Sequence, residues 1–466
     1  MKDINVKLYT SIPPSADSKG SEFGSNPDIY RTIEKELQLK ESDIEEIHLA
    51  LYLFNNKHLF RTLREIARKS RVVVTSLPLA GYDERKINSA KEIYEKVLEL
   101  KEHNLNFDLM IYPHMYMWYG AEYAEEGASY SFHVKAGYVL YRDGSCKLIL
   151  TSCNLSPGDP YHSETAVVID DLTCSTPYSA AFVEFFKQVE HLAVPWHLYY
   201  SSTHDLPKHL QQVFDFTFIG KHGQRNWGES IAEKAFFTGP FIKINGEGST
   251  WYARKRIVEL IMSTEKRLLV AAQHIHDIAP FDEYPYKTVI GAIIERKRCK
   301  PSLDVKVLKQ VPSRGLADKR RAAFVECHLN YAGIEQRANR LVHDKFIVAD
   351  STVVITTSNF TATQFGWGER EMAFTVAEST KTVESIVSRA VSLFKYPQNV
   401  IRGLIRVEPV KSRKATLQKV KVVKKDIFAE INGFIVIEDE GLANSLASYF
   451  YGLWNHRLSE SIEIPR

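Results

Sequence analysis

The chain has 466 residues, of which 44% are hydrophobic and 25% charged, and its formal net charge is +3. This composition is typical of a globular protein large enough for two domains, and it excludes a disordered or collagen-like chain. No apolar stretch approaches the roughly 18 residues of a membrane span, and none follows Met1, so we expect neither a spanning helix nor a secretory leader. The five Cys form no Cys-x-x-Cys pair, which disfavours zinc and disulfides and favours a cytoplasmic location.

Helical and strand periodicities follow one another in the same order in both halves of the chain. The predicted order of helix, strand, helix and strand falls on residues 28–39, 47–54, 59–69 and 71–76, and again on residues 251–262, 267–273, 287–298 and 304–311. Strands that are apolar almost throughout and alternate with helices are typical of sheets covered on both faces. The sequence therefore predicts an α/β fold with an internal repeat.

Each half continues into a His-x-Lys motif and then a strand that ends in Ser/Thr-x-Asn. The two copies are His133, Lys135 and Ser152-Cys153-Asn154, and His343, Lys345 and Thr357-Ser358-Asn359. Turn residues lie between the two parts of each copy, so we expect two β-hairpins. Centred between residues 143 and 144, the first hairpin would place His133 opposite Asn154; centred on residue 351, the second would place His343 opposite Asn359.

These two copies resemble the motifs of the phospholipase D superfamily, His-x-Lys-(x)4-Asp followed by Gly/Ser-Ser-x-Asn. The second copy matches through Asp350, and Glu371 follows twelve residues after Asn359. In the first copy Leu140 takes the place of the Asp, and the hairpin is longer. A first motif without Asp and with a longer hairpin is similar to the motifs of the tyrosyl-DNA phosphodiesterase branch. Asp350 in the second motif is typical of the rest of the superfamily, so the assignment to a branch stays open.

The resemblance implies two similar α/β/α sandwich halves, related by a pseudo-twofold axis, with both motifs at the interface. We expect a first half at residues 1–195, a connection at 196–235, a second half at 236–400 and a small basic C-terminal extension at 401–466. Within this extension the pattern predicts a strand over residues 433–438 and a helix near residues 442–454.

The resemblance also implies cleavage of a phosphodiester through a covalent phosphohistidine. His133 is the first choice as nucleophile and His343 as acid, with the reverse assignment open. Cationic side chains at positions 135 and 345 would neutralise the nonbridging oxygens, so we expect no metal ion or other cofactor.

Further candidate site residues support this chemistry. Asn154 and Asn359 are expected to donate hydrogen bonds to the phosphate. Glu371 and Glu164 are expected to orient the imidazole of the opposite motif. Asp350 either acts at the site or serves as a local strut.

The substrate predicted from the sequence is nucleic acid, and no protein partner is predicted. Basic runs suit a phosphate backbone, although such runs are also common on solvated helix faces: residues 254–256, 296–298, 319–321 and 411–425. Aromatic residues near the first motif would stack on bases, fill a core or line an acyl-chain groove: Tyr112, Tyr116, Trp118, Tyr119, Tyr123 and Tyr130. The alternative is a phospholipase D or phosphatidyltransferase acting on phospholipid headgroups. A non-catalytic binding protein is disfavoured because His, Lys and Asn are intact in both copies.

Overall fold

The structure is a computed structural model. It describes residues 4–11, 29–76, 84–102, 105–112, 129–156, 162–197, 225–239, 242–276, 288–311, 316–361, 364–365, 405–409, 420–424 and 428–462.

The first half supplies nine strands and four helices within these ranges. They are β1 (Ile4–Ser11), α1 (Ile29–Gln38), β2 (Ile44–Leu51), α2 (Lys57–Ile66), β3 (Arg71–Ser76), α3 (Glu84–Glu102), β4 (Phe107–Ile111), β5 (Ser129–Phe132), β6 (Ala136–Tyr141), β7 (Cys146–Thr151), β8 (Glu164–Asp171), α4 (Pro177–Leu192) and β9 (Val194–Pro195). A short 3-10 helix, Glu41–Asp43, leads into β2.

The remainder of the described chain forms the second half and its connection. Its elements are β10 (Arg225–Trp227), α5 (Glu229–Ala232), β11 (Ala235–Phe237), β12 (Ile242–Ile244), β13 (Glu247–Gly248), α6 (Ser249–Ser263), β14 (Arg267–Ala272), β15 (Ile275–His276), α7 (Val289–Cys299), β16 (Asp304–Lys309), α8 (Leu316–Tyr331), β17 (Glu335–Asn339), β18 (Lys345–Ala349), β19 (Thr352–Thr356), β20 (Phe360–Thr361), β21 (Ile405–Pro409), β22 (Val420–Lys424), β23 (Phe428–Ile431), β24 (Gly433–Glu438), α9 (Glu440–Trp454) and β25 (Ser459–Ser461). Within the predicted connection 196–235, residues 198–224 lie outside the described ranges, and β11 already belongs to the second large sheet.

Two eight-stranded sheets share one strand order. The order is β1-β8-β7-β6-β2-β3-β4-β9 in the first and β11-β24-β19-β18-β14-β16-β17-β25 in the second. Strand directions correspond as well, since β2 and β14 each pair in parallel with the next predicted strand and antiparallel with the motif hairpin. The predicted mixed α/β fold with an internal repeat is therefore confirmed, and the repeat covers all eight positions of the sheet.

The first sheet is buried on both faces. Along β8, Ala166 and Val168 belong to one core cluster, whereas Val167 and Ile169 belong to another, because successive side chains of a strand point to opposite faces. Helices α1, α2 and α3 cover the former face. On the latter face α4 and the second sheet share one apolar core, where the rings of Phe185 and Phe237 stack with centroids 3.9 Å apart. The two halves are thus joined by a continuous core.

The C-terminal region departs from the predicted small extension. The strand predicted at 433–438 and the helix near 442–454 both form, as β24 and α9. However, β24 lies between β11 and β19 inside the second sheet, β25 pairs with β17, and α9 packs on β14, β18 and β19. Residues 433–461 are therefore part of the second half, and β24 pairs with β19 along its whole length, from Thr352 to Thr356.

Gly433 begins β24 at a point where the two halves touch. A Cβ atom there would lie 2.7 Å from Leu150 Cδ1 and 2.8 Å from Phe237 Cε1. We expect Gly433→Ala to lower the free energy of unfolding by about 1–3 kcal/mol, since overpacking a tight core forces neighbours out of place. Denaturant unfolding measures this change. Gly246→Ala serves as a comparison, because Gly246 lies in a turn with positive φ where an added Cβ would meet no atom within 4 Å. An unchanged midpoint for Gly433→Ala would show that the interface yields freely.

Candidate active site

Both His-x-Lys motifs lie where a strand from one half meets a segment of the other. His133 lies between β5 and β6, and its backbone N–H donates to the carbonyl of Ile431 at 3.1 Å. His343 lies immediately before β18, and its N–H donates to the carbonyl of Ser163 at 3.2 Å. The histidines were predicted within strands, but each is instead at a strand junction. The backbone of each motif is thereby held by the half that does not contain it.

The predicted register of both hairpins is wrong by one residue. In the first, Ala136 pairs with Leu150, and Lys135 accepts at its carbonyl from the N–H of Thr151 at 3.1 Å. The turn is a three-residue loop, 142–144, with Gly144 at φ 83°, so it is centred on a residue and not between two.

In the second hairpin, Ala349 pairs with Thr352 across a two-residue loop. That turn is centred between Asp350 and Ser351, half a residue from the predicted centre. Consequently Asn154 and Asn359 follow their strands instead of facing the histidines across a ladder. Asn359 accepts at Oδ1 from the backbone N–H of His274 at 3.2 Å, and Asn154 is half-buried.

The two lysines are fully buried and held in the same way. Lys135 Nζ donates to the carbonyl of His133 at 2.6 Å, and Lys345 Nζ donates to the carbonyl of His343 at 2.7 Å. The ammonium of Lys135 also lies 5.3 Å from the centroid of the Tyr52 ring. Each lysine curls back over its own motif, which brings its charge beside the imidazole.

His343 is paired with a carboxylate from the first half. Its Nδ1 lies 2.7 Å from Oε1 of Glu164, and both side chains are buried. The other carboxylate oxygen of Glu164 accepts from the hydroxyl of Ser152. Burial raises the pKa of Glu164 to about 7, although Lys345 and Ser152 act in the opposite direction. The structure thus places Glu164 against the imidazole of the opposite motif, and its catalytic role stays a prediction.

His133 has different partners, both from the C-terminal region. Its Nδ1 lies 3.1 Å from Oδ1 of Asn432 and 3.4 Å from Oε2 of Glu430. Neither residue was predicted from the sequence, and the predicted partner, Glu371, lies outside the described residues. The sequence did contain a signal for this region, because the strand at 433–438 was predicted. That strand was assigned to a C-terminal extension and not to the internal repeat.

Strand register identifies Asn432 as the counterpart of Glu164. Glu164 lies two residues before the partner of Thr151, and Asn432 lies two residues before the partner of Thr356. In each copy the hydroxyl that follows this threonine donates to the side-chain oxygen, at 2.9 Å for Asn432. The repeat therefore supplies a carboxylate to one histidine and an amide to the other.

The electrostatics of His133 follow from this burial and these cations. Desolvation, then Lys135 and Lys345, hold the pKa of His133 well below its usual range. Its Nδ1 faces an amide oxygen that can only accept, so the ring carries its proton there and leaves Nε2 unprotonated. A neutral imidazole with a free Nε2 is a nucleophile.

A second buried carboxyl lies inside the second motif. Asp344 accepts from the hydroxyl of Ser163 and, at 3.0 Å, from that of Tyr449 in α9. Burial, with Glu164 acting in the same direction, raises the pKa of Asp344 to about 7, although the hydrogen bond from Ser163 lowers it. Tyr449 also donates toward the carbonyl of Ser11 at 2.9 Å, so the motif, α9 and β1 meet at one hydroxyl.

Asp350 does not reach this site. Its carboxylate accepts from the backbone N–H groups of Glu265, Lys266 and Arg267 at 2.6–2.9 Å. It follows the far end of β18 from Lys345, roughly 17 Å away at the usual rise of a strand. The assignment of Asp350 as a catalytic candidate is wrong, and the alternative of a local strut describes its contacts, because it caps the entry to β14.

The predicted substrate-contacting residues fall into two groups. Tyr112 is fully buried and stacks on Phe132 with centroids 4.9 Å apart, so it fills a core; Arg254 is 4% exposed and lies over Trp251. Arg296 donates to the carbonyl of Thr264. The remaining aromatic residues and two of the basic runs, or their side chains, lie outside the described residues: Tyr116, Trp118, Tyr119, Tyr123, Tyr130, residues 319–321 and residues 411–425.

Comparison with known proteins gives likenesses of structure. No family model matches the sequence, and no curated protein does. Solved structures that the chain matches include a polyphosphate kinase from Porphyromonas gingivalis, with 10% identity, a TM-score of 0.48 and coverage of 97% of this chain and 51% of that one. They also include the yeast tyrosyl-DNA phosphodiesterase, with 11% identity, a TM-score of 0.43 and coverage of 78% and 87%. A third is Nuc from Salmonella typhimurium, a phospholipase D family member, with 14% identity, a TM-score of 0.27 and coverage of 49% and 98%.

The chain is thus a two-motif His-x-Lys protein with an internally repeated α/β fold. It spans about half the length of the polyphosphate kinase that it matches. In the described part of the chain, no helix has the length and apolar character needed to cross a membrane.

Proposed function

We propose that this protein is a metal-independent phosphodiesterase that acts through a covalent phosphohistidine, with nucleic acid as its substrate. The observation that carries the proposal is that each of the two imidazoles contacts a side chain of the opposite half. Each has Nδ1 against an oxygen from the opposite half, and a buried lysine lies beside each. In this arrangement we assign Nε2 of both rings to one phosphate.

In the first step Nε2 of His133 attacks phosphorus, and the bond from phosphorus to the leaving oxygen breaks. His343 gives that oxygen a proton from Nε2, so the alcohol leaves neutral. In the second step His343 takes a proton from water, the water oxygen attacks phosphorus, and the P–N bond breaks. The products are an alcohol and a phosphomonoester, and both histidines return to their starting states.

The buried lysines provide the electrostatic part of this reaction. The phosphodiester carries one negative charge that grows on the nonbridging oxygens as the nucleophile adds. Lys135 and Lys345 are 0% exposed, so their charges act in a medium of low polarity and need no reorganisation. This replaces the Lewis acid that other phosphodiesterases use, which is why we expect activity in EDTA.

The environment of each histidine supports this division of roles. His133 is neutral across the physiological range because desolvation and the lysines oppose its protonation. His343 faces the Glu164 carboxylate at 2.7 Å, which favours the imidazolium that a general acid requires. The sites of attack and of proton donation therefore differ in the chemistry of their partners.

The pH profile follows from the same contacts. The Glu164–His343 pair must hold a proton to act as acid, and the pKa of Glu164 near 7 indicates that this proton is lost as the pH rises past neutrality. We expect Glu164→Gln to move the alkaline limb of kcat to lower pH by about one unit or more, because an opposite charge is removed from beside a buried imidazolium.

The rate of Glu164→Gln at pH 7 should fall by about 10–100-fold. The acid limb, which reports protonation of His133, should not move. Steady-state rates from pH 4 to 9 measure both limbs. A profile that is uniformly lower but unshifted would contradict a role for Glu164 in holding the acid's proton.

Nucleic acid is proposed as substrate because basic runs occur in several parts of the sequence, above all seven Lys/Arg without an acidic residue at 411–425. The deciding experiment incubates the protein in EDTA with labelled single-stranded DNA, duplex DNA, RNA and phosphatidylcholine liposomes in parallel. His343→Ala is the inactive control, and His58→Ala, at an exposed position on α2, is the matched active control.

Cleavage of nucleic acid that persists in EDTA and disappears only in His343→Ala supports the proposal and identifies the preferred strand. Release of the lipid headgroup without cleavage of nucleic acid would replace the proposed substrate with a phospholipid. Activity that appears only when a divalent ion is added would contradict the role given to the lysines.

A further inference from the structure

We propose that Glu430 is the positioning residue of His133. Its carboxylate orients the imidazole and balances the positive charge that the ring gains when Nε2 bonds to phosphorus. Glu430 lies two residues before Asn432, the position that corresponds to Glu164 in the other copy. This inference rests on the proposed function for its catalytic meaning. It goes beyond that function by naming a residue that neither motif contains.

The repeat leaves His133 without the carboxylate that His343 has at the corresponding position. Asn432 occupies the place of Glu164, and both side-chain oxygens accept from the hydroxyl of the same hairpin position. An amide oxygen can fix a tautomer by accepting from Nδ1–H. It carries no charge and cannot neutralise a cationic ring.

The carboxylate of Glu430 lies close to the same ring nitrogen. Residues two apart in an extended segment point to the same side, so Glu430 and Asn432 both reach toward His133. Oε2 of Glu430 lies 3.4 Å from Nδ1, and the same oxygen accepts from Nε2 of Gln364. The position of the Glu430 carboxylate is therefore fixed by a second hydrogen-bond donor, the side-chain amide of Gln364.

The backbone fixes this placement. Strand β23 pairs in parallel with β5, with Glu430 opposite Ser131 and Ile431 opposite Phe132. His133 then donates its own N–H to the carbonyl of Ile431 at 3.1 Å. The chain segments that carry His133 and Glu430 are consequently hydrogen-bonded to each other next to the imidazole.

The counterpart of Glu430 in the other copy is not acidic. It is His162, two residues before Glu164, and its ring centroid lies 5.5 Å from that of His343. The position of the carboxylate is thus exchanged between the two copies. His343 contacts the carboxylate of Glu164 and lies near the ring of His162, whereas His133 contacts the amide of Asn432 and lies near the carboxylate of Glu430.

The charge around His133 shows what the carboxylate does. The groups that face the ring are Lys135, Lys345, His343, Tyr52 and the Glu430–Asn432 pair. When Nε2 bonds to phosphorus, the ring gains a positive charge next to two ammonium groups. Among the described residues, Glu430 is the carboxylate that the structure places against its Nδ1. Burial raises the pKa of Glu430 to about 7, and the lysines lower it.

The test moves the carboxylate within the site. Glu430→Gln removes the charge and keeps the shape. The double variant Glu430→Gln with Asn432→Glu returns a carboxylate at the place that Glu164 has in the other copy. Glu438→Gln, an exposed carboxylate on β24 paired with Lys234, is the matched control.

Two readouts are combined. Titration of 15N-labelled histidine by NMR, with the His133 signal assigned from its loss in His133→Gln, follows the ring without any substrate. Turnover of the best substrate from the parallel assay then follows catalysis.

We expect His133 to titrate at lower pH in Glu430→Gln and at higher pH in the double variant than in the wild type. Turnover should fall about 10–100-fold in Glu430→Gln and recover by about tenfold in the double variant. Glu438→Gln should match the wild type in both readouts.

A titration of His133 that is the same in wild type and Glu430→Gln overturns the proposal, even if turnover falls, because the loss would then have another cause. Shifted titrations in a protein that cleaves none of the substrates would support the placement of the carboxylate and contradict the proposed phosphodiesterase. The two failures are therefore separable.

Discussion

Turnover is expected to disappear in His133→Ala and to fall by about 10²–10⁴-fold in His343→Ala, the range for loss of a general acid–base. The larger loss at His133 follows from its role, since without Nε2 no covalent intermediate can form. Neither half can complete the reaction alone, because each histidine takes its Nδ1 partner from the other half. Initial rates against the best substrate of the parallel assay measure both effects.

The covalent step gives a sharper measurement. With a substrate whose leaving group is a good one, such as a p-nitrophenyl phosphodiester, attack no longer needs the acid. His343→Ala should then accumulate a phosphoryl-enzyme, because the base that activates water is missing. Intact-protein mass spectrometry should detect an adduct that is labile in acid, as phosphohistidine is, and none should form on His133→Ala.

Controls separate chemistry from folding. His58→Ala, exposed on α2, should retain full activity, and thermal unfolding of all variants should stay cooperative. Full activity in either active-site variant would refute a shared site. An adduct on His133→Ala and none on His343→Ala would reverse the two roles while leaving the shared site in place.

A chain that ends at residue 427 is expected to lose its fold as well as its activity. The deletion removes β24 from the interior of the second sheet, together with β25 and α9. Fully buried apolar side chains are lost with it, among them Phe434, Ile435, Leu446, Phe450 and Leu453. At about 2 kcal/mol each, these five alone contribute about 10 kcal/mol, which is comparable to the whole stability of a typical domain.

Soluble expression and the temperature of unfolding of the shortened chain measure this effect. The full-length Glu430→Gln/Asn432→Ala double variant is the control, because it removes the same site contacts and keeps the sheet complete. It should stay folded with low activity. A soluble, cooperatively unfolding chain of residues 1–427 would show that the C-terminal region is an addition after all, as the sequence had suggested.

Local patterns were sufficient to predict the elements around both motifs. The predicted strands at 71–76 and 304–311 correspond to β3 and β16, and the predicted helix at 251–262 corresponds to α6. These elements follow from period and apolar content, which act over a few residues. The repeat itself was also visible, since the same order of elements and the same motif occur twice. What it implied about a shared site stays a prediction until the histidine variants are measured.

Errors arose where the outcome depends on the partner of a segment. The hairpin register failed by one residue in both copies, because the turn conformation at Gly144 and Asp350 decides it and neither residue specifies loop length. The sequence left Asp350 open between a role at the site and a local strut, and the five-residue strand β18 carries it to the end away from Lys345.

Two imidazoles, two lysines and the short elements that present them in duplicate follow from local sequence patterns. Which carboxyl group contacts which imidazole depends instead on how the two halves pack. Glu164 reaches across to His343, and Glu430, almost 300 residues from His133 along the chain, reaches back to it. The physical reason is that a side-chain partner is chosen by strand order within a sheet, and strand order depends on which distant apolar edges bury one another.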